Sequence, residues 1–82
     1  MTRVSPVVLR INGYAFRFNS SDRREPPHVH VEAGENAAKF WLAPVSCAWS
    51  SGYNVSELNE IRRLVEENES YLVAKWREYF AR

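Results

Sequence analysis

Two periodicities divide the chain. Up to about residue 49 apolar and polar positions alternate, the pattern of strands that bury one face; from about residue 54 apolar residues recur at three and four, the pattern of amphipathic helices. Val7-Val8-Leu9-Arg10-Ile11-Asn12 and Tyr14-Ala15-Phe16-Arg17-Phe18-Asn19 are runs of β-branched and aromatic residues, and Asn12-Gly13 between them signals a tight hairpin. Ser20 to Pro27 is a polar segment ended by two prolines, which cannot donate to a sheet ladder. A third strand begins at His28, with Val29 and Val31 on one face and His28, His30 and Glu32 on the other. Gly34-Glu35-Asn36 turns the chain, and Ala37 to Leu42 returns antiparallel as a fourth strand. Pro44 interrupts it, and Val45 to Trp49 gives a short fifth strand before Ser50-Ser51-Gly52.

The helical part starts at a capping box. Asn54 is the N-cap and Glu57, three residues on, completes it; Tyr53 and Leu58 are spaced for a hydrophobic staple. Leu58, Ile61, Leu64 and Val65, then Tyr71, Leu72, Trp76, Tyr79 and Phe80, form the apolar stripe. Glu66-Glu67-Asn68-Glu69-Ser70 puts polar residues where the stripe should continue, which favours a break into two helices over one long helix. The expected fold is α+β: an antiparallel sheet of four or five strands followed by helical cover, as a single domain over 1–82.

Composition limits what holds such a domain together. At 82 residues the chain is short for one hydrophobic core, and its single Cys47 excludes an intrachain disulfide. One Cys and two His cannot close a tetrahedral zinc site. Eleven aromatic residues remain as the internal staple, three Trp, four Tyr and four Phe, with a partner chain, homo-oligomeric or not, as the external one. Trp41, Trp49 and Cys47 read as core or interface. Eleven Lys and Arg against ten Asp and Glu give a formal charge of +1, without the basic excess of a generic nucleic-acid binder. No apolar run approaches the roughly 20 residues of a membrane span, and no signal-peptide core follows the N-terminus, so the expected location is the cytoplasm, with no membrane partner.

The chemistry concentrates in Glu25-Pro26-Pro27-His28-Val29-His30-Val31. Strand geometry projects His28 and His30 from one face about 7 Å apart at Cα, within reach of one ligand. Three readings stay open. The pair is a general acid and base near neutral pH, as in metal-independent RNA cleavage; or a metal site with Glu32, or with Asp22 or Glu25 as an oxygen ligand; or two imidazoles hydrogen-bonded on a half-exposed sheet. No complete metal triad is visible, so no cofactor is expected. Arg23, Arg24 and Lys39, with Arg10 and Arg17, can offer a phosphate or carboxylate a cationic site, Glu25 lies among them, and a solvated polar face is the plainer account. On the helices Glu57, Glu60, Arg63, Glu67 and Arg77 read as solvated charges with i,i+4 pairing.

The blocks Glu25-Pro26-Pro27-His28-Val29-His30-Val31 and Ala38-Lys39-Phe40-Trp41-Leu42-Ala43-Pro44-Val45, with Gly52, Glu57-Leu58, Ile61, Val65, Glu67-Asn68, Trp76 and Phe80, resemble a family of small bacterial proteins catalogued as a domain of unknown function. The resemblance runs from about Ile11 to Phe80. It implies a short cytosolic protein encoded beside a second small protein, a pairing that looks like a type II toxin-antitoxin module with this chain as the toxin. The implied partner is that cognate protein; RNA cleavage or another attack on translation, with His28 and His30 as acid and base and Arg23, Arg24 or Lys39 holding phosphate, is the mechanism the paired histidines suggest for such a toxin. Some relatives carry another histidine just before the two prolines, where this chain has Asp22-Arg23-Arg24-Glu25. The resemblance brings no catalytic residues with it, so His28 and His30 rest on their chemistry alone.

Overall fold

In the computed structural model, which describes residues 6–19 and 24–81, five strands precede two helices. The strands are β1 (Val7–Ile11), β2 (Tyr14–Arg17), β3 (His28–Ala33), β4 (Asn36–Leu42) and β5 (Val45–Ser51). Each pairs antiparallel with the next, giving one meander in the order β1-β2-β3-β4-β5. The helices are α1 (Val55–Glu67) and α2 (Glu69–Tyr79). This is the expected α+β architecture, with the fifth strand reaching Ser51 and the helical region divided in two. Asn12 and Gly13 turn the first hairpin with φ of 52° and 82°, the pair of positive angles that a twisted two-residue turn needs.

Strand register sorts the side chains onto two faces. Phe16 is opposite Val31, Val31 opposite Ala38, Val29 opposite Phe40, and Leu42 opposite Val45. These residues face the helices. Phe16, Phe18, Val29, Val31, Ala38, Phe40 and Leu42 are fully buried there with Ile61, Val65 and Leu72, and Leu64 and Trp76 nearly so. The other face carries a row across all five strands: Val7, Arg17, His30, Lys39 and Trp49, each in register with the next.

Two bulges disturb the alternation. Val8 is the extra residue in β1, and Ala48 is the extra residue in β5, where Lys39 pairs with Trp49 but Phe40 pairs with Cys47. The β5 bulge takes Trp49 out of the core and leaves the interface half of its expected role untouched. Strict alternation would put it beside Val45 and Cys47 facing the helices; one inserted residue sends it to the opposite face, where it is 47% exposed. Cys47 is half-buried, not buried, and its thiol donates to the Trp49 carbonyl at 3.4 Å.

Local chemistry sets the helix ends. Asn54 Oδ1 accepts from the Glu57 amide at 2.8 Å and the Glu57 carboxylate accepts from the Asn54 amide at 2.9 Å, which completes the capping box. At Asn68 the helical path breaks. Its side-chain amide donates back to the Leu64 carbonyl at 2.8 Å, and α2 resumes with the Leu72 amide on the Asn68 carbonyl. α1 faces the core through Ile61, Leu64 and Val65, and α2 through Leu72 and Trp76. No helix among the described residues is long and apolar enough to cross a membrane.

Candidate functional site

His28 opens β3 at one end of the sheet. The prolines ahead of it cannot donate to a ladder, and the Pro27 carbonyl is used by the Leu42 amide at 3.0 Å, which fixes the strand's start beside the end of β4. Its register partner is Trp41, and the two rings meet edge to face with centroids 5.5 Å apart. His30, two residues on, stands 5.2 Å from His28, and Trp76 arrives from α2 at 5.0 Å. Trp76 also packs edge-on to Phe18 at 5.4 Å and against Phe80 at 4.2 Å, so the last turns of α2 close this end of the sheet.

This aromatic surround leaves His28 with 0% exposure. Its Nδ1 lies 2.9 Å from the Pro26 carbonyl. A carbonyl only accepts, so Nδ1 is the donor in this contact. His30 is half-buried on the face away from the helices, between Arg17 on β2 and Lys39 on β4.

Glu25 ties these groups together. Its Oε1 accepts from Lys39 Nζ at 2.6 Å and lies 3.7 Å from His28 Nδ1. The Lys39 ammonium also sits over the Trp41 ring, 4.6 Å from its centroid, and the lysine side chain is only 14% exposed against 46% for Glu25. A charged amine is thus drawn out of water and compensated by one carboxylate and one aromatic face. The next pair along the sheet is separate. Arg17 Nε lies 3.1 Å from Glu32 Oε1, an ion pair without the alignment of a hydrogen bond, since Nε is buried and has no hydrogen-bond partner.

Of the residues singled out by sequence, Glu25, His28, His30 and Lys39 come together. Glu32 is engaged by Arg17. Arg24 is exposed beside Glu25, and Arg10 is exposed on β1. Arg23 and Asp22 lie outside the described residues. Among the described residues no three His, Cys, Asp or Glu side chains are gathered to hold a metal ion. Trp76 is the member that pattern reading assigned to the helical stripe alone. Only its place in the last turns of α2 brings it to His28.

A second polar cluster sits at the other end of the sheet. The Tyr14 hydroxyl donates to Glu60 Oε1 at 3.0 Å, and Asn12 Nδ2 donates to Glu60 Oε2 at 3.3 Å. Glu60 is therefore a tie between α1 and the first hairpin, not a solvated charge. Burial, then the bond to Glu60 and the Glu60 charge, push the Tyr14 hydroxyl up to about 12. Tyr53 packs edge-on to Tyr14 at 5.9 Å and donates to the Asn36 carbonyl at 3.4 Å; burial, then the negative charges of Glu57 and Glu32, raise its pKa as well. Gly52 completes this end: at φ +91° a Cβ there would collide with the Asn36 side-chain amide.

No curated protein and no solved structure matches the chain. A family model does match, over residues 13–77, which spans the histidine end, Tyr14, Tyr53 and Glu60 of the second cluster, the row on the other sheet face from Arg17 onward, and most of α2. The chain belongs to the family described as domain of unknown function DUF4160.

Proposed function

We infer that the chain is the toxin-like component of a type II toxin-antitoxin-like pair, that it binds a cognate small protein encoded nearby, and that it attacks RNA or translation. The observation that carries this reading is the sheet face that no helix covers among the described residues, which gathers His30, Lys39, Arg17 and Trp49 in one row beside Glu25 and Trp41. In this reading His30 is the imidazole presented to substrate, and the buried His28 ring packs against it. Lys39 and Arg24 meet phosphate, with Arg23 next in sequence.

The cognate protein adds to β5. That strand is the outer edge of the sheet, reads Val-Ser-Cys-Ala-Trp-Ser-Ser with no charge, and is exposed from Ala48 onward. Edge strands without charged residues are the ones that accept a further strand. The opposite edge carries a charge, Arg10 on β1, while a helix side chain donates to a carbonyl of each edge strand, Tyr71 to Val8 and Arg62 to Val45.

Expression of the chain with and without its neighbour, read as growth and as co-purification, tests both halves. Growth inhibition by the chain alone, relieved by the neighbour and lost in His30→Ala, is the expected result; no inhibition by the parent chain removes the toxin reading. Trp49→Glu is expected to break co-purification.

A non-catalytic binding module is the second reading, favoured by the complete burial of His28, which leaves one imidazole at the surface. Inhibition that persists in His30→Ala while the neighbour still binds selects it. Its metal-sensing form fails if untagged protein holds less than about a tenth of an equivalent of metal.

A further inference from the structure

We propose that α2 is a hinged lid over His28, which undocks from the sheet about Asn68 while α1 and the strands stay folded, and so opens the enclosed imidazole to solvent. Rings of two kinds cover that imidazole. Trp41 and His30 belong to β4 and β3 and stay with the sheet, whereas Trp76, at 5.0 Å, belongs to α2. With the helix docked, His28 is at 0% exposure. Trp76 is the latch: it packs on Phe18 and His28, and against Phe80 at its own helix end, so undocking withdraws a ring from His28 without unpairing a strand.

The two helices are held unequally. α1 buries Ile61, Leu64 and Val65, starts in a complete capping box, and is tied to both sides of the sheet: Glu60 accepts from Tyr14 and Asn12 of the first hairpin, and Arg62 donates to the Val45 carbonyl of β5. α2 buries Leu72 and Trp76, leaves Val73 and Tyr79 half-buried, and among the described residues starts without a side-chain cap. Its polar tie to the sheet is the exposed Tyr71, whose hydroxyl donates to the Val8 carbonyl. Local opening begins in elements that bury few apolar groups and whose hydrogen bonds lie in water. That describes α2 and not α1.

Asn68 is the joint. Its backbone leaves the helical path at φ −112° and ψ 16°, and its side-chain amide donates to the Leu64 carbonyl, which closes the last turn of α1 without help from α2. The ladder of α2 begins at the Asn68 carbonyl, with the Leu72 amide. A rotation at this one residue therefore breaks neither helix, as expected of a hinge at an element terminus. The proposal rests on the reading of the histidine end as the working site and adds its regulation: docked α2 leaves one imidazole at the surface, and undocked α2 presents both. It is measured without growth, so a failed growth assay leaves it standing and its own failure leaves the toxin reading standing.

The test is amide hydrogen exchange read by mass spectrometry, beside peptide-mapped acylation of the histidines by diethyl pyrocarbonate, in wild type and in Tyr71→Phe. That substitution removes the tie to Val8 and touches no buried side chain, so the variant folds. In wild type the amides from Leu72 to Tyr79 are expected to exchange through an opening that leaves α1, β3 and β4 protected. In Tyr71→Phe that exchange and the acylation of His28 are expected to rise together by about fivefold, the worth of one hydrogen bond, with α1 unchanged. Exchange of α2 at the rate of α1 and β3 overturns the proposal, because the helix then leaves only when the whole chain unfolds. A His28 that stays unreactive while α2 opens overturns it too, as does equal behaviour of the two proteins in both readouts.

Discussion

At one end of the sheet a glutamate meets a tyrosine hydroxyl, and at the other a glutamate meets a lysine ammonium, yet the two contacts have opposite characters. Glu60 is set on α1, a capped helix, and each of its oxygens takes a donor from the first hairpin, Tyr14 and Asn12. Both partners of that contact are held by regular structure, and the donor is neutral. Glu25 is set on an irregular segment, brings one oxygen to Lys39, and is the more exposed partner. A neutral, fully engaged tie joins elements; a charged, one-sided tie leaves a cation that another anion can claim. Burying a polar group is thus no signature of a site by itself. What distinguishes the histidine end is that Lys39 is set on a paired strand and mostly buried while the carboxylate that meets it lies outside strands and helices and is half-exposed.

The largest expected effect tests whether α2 holds the histidine end together. Trp76 touches Phe18, His28 and Phe80. Trp76→Ala is expected to cost about 3–5 kcal/mol in urea unfolding, the usual range for an aromatic truncated to Ala in a core. It should also expose His28 and sharpen its ring signals in NMR. A cost near 1 kcal/mol would mean that the strands alone confine His28, and the contrast between the two ends would then lose its structural basis.

The tyrosine end carries the next effect, through pH. Unfolded Tyr14 loses its proton near 10.0, whereas the folded group holds it to about 12. Between those values the unfolded chain binds fewer protons, so stability is intact below pH 10 and falls as pH rises through 12, by on the order of 2 kcal/mol. Tyr53 shifts in the same direction, so the informative quantity is the difference between wild type and Tyr14→Phe. That variant is expected to lose about 1 kcal/mol at neutral pH, the worth of one hydrogen bond to a charged acceptor less its desolvation, and to show a flatter decline in alkali. Parallel declines would place the alkaline sensitivity elsewhere.

These two ends also mark what periodicity could and could not foresee. Alternation around Val29 and Val31, the Asn12-Gly13 turn and the Asn54 to Glu57 spacing are local rules, and the structure follows them. The polar run at Glu66 to Ser70 resolves into a break at Asn68 because its side chain competes for a helix carbonyl. The face of Trp49 could not be read because a bulge obeys the pairing of two strands, which one strand's sequence does not contain. Glu60 escaped because its partners lie 46 and 48 positions away. On the candidate site, Glu25, His28, His30 and Lys39 were legible as chemistry from residue type and order. Their geometry was not: that His28 is enclosed and His30 presented depends on Trp76, which reaches them only through the tertiary path of α2.

The smallest expected change in stability is the one that separates the two carboxylates most sharply. Glu60→Ala removes the acceptor of two donors and leaves the mostly buried Tyr14 hydroxyl to find another, so it is expected to cost about 1–2 kcal/mol whatever anion is in solution. Glu25→Gln keeps the shape of the side chain and an oxygen near Lys39 and alters a half-exposed ion pair, so in buffer without phosphate it is expected to cost at most about 0.5 kcal/mol. Added pyrophosphate should then raise the melting temperature of Glu25→Gln more than that of wild type, since a ligand that binds only the folded chain stabilises it in proportion to the logarithm of its occupancy. Glu60→Ala should respond to pyrophosphate as wild type does. If instead Glu25→Gln destabilises as strongly as Glu60→Ala and pyrophosphate restores nothing, Glu25 is a structural tie like Glu60, and the two ends of the sheet differ in charge alone.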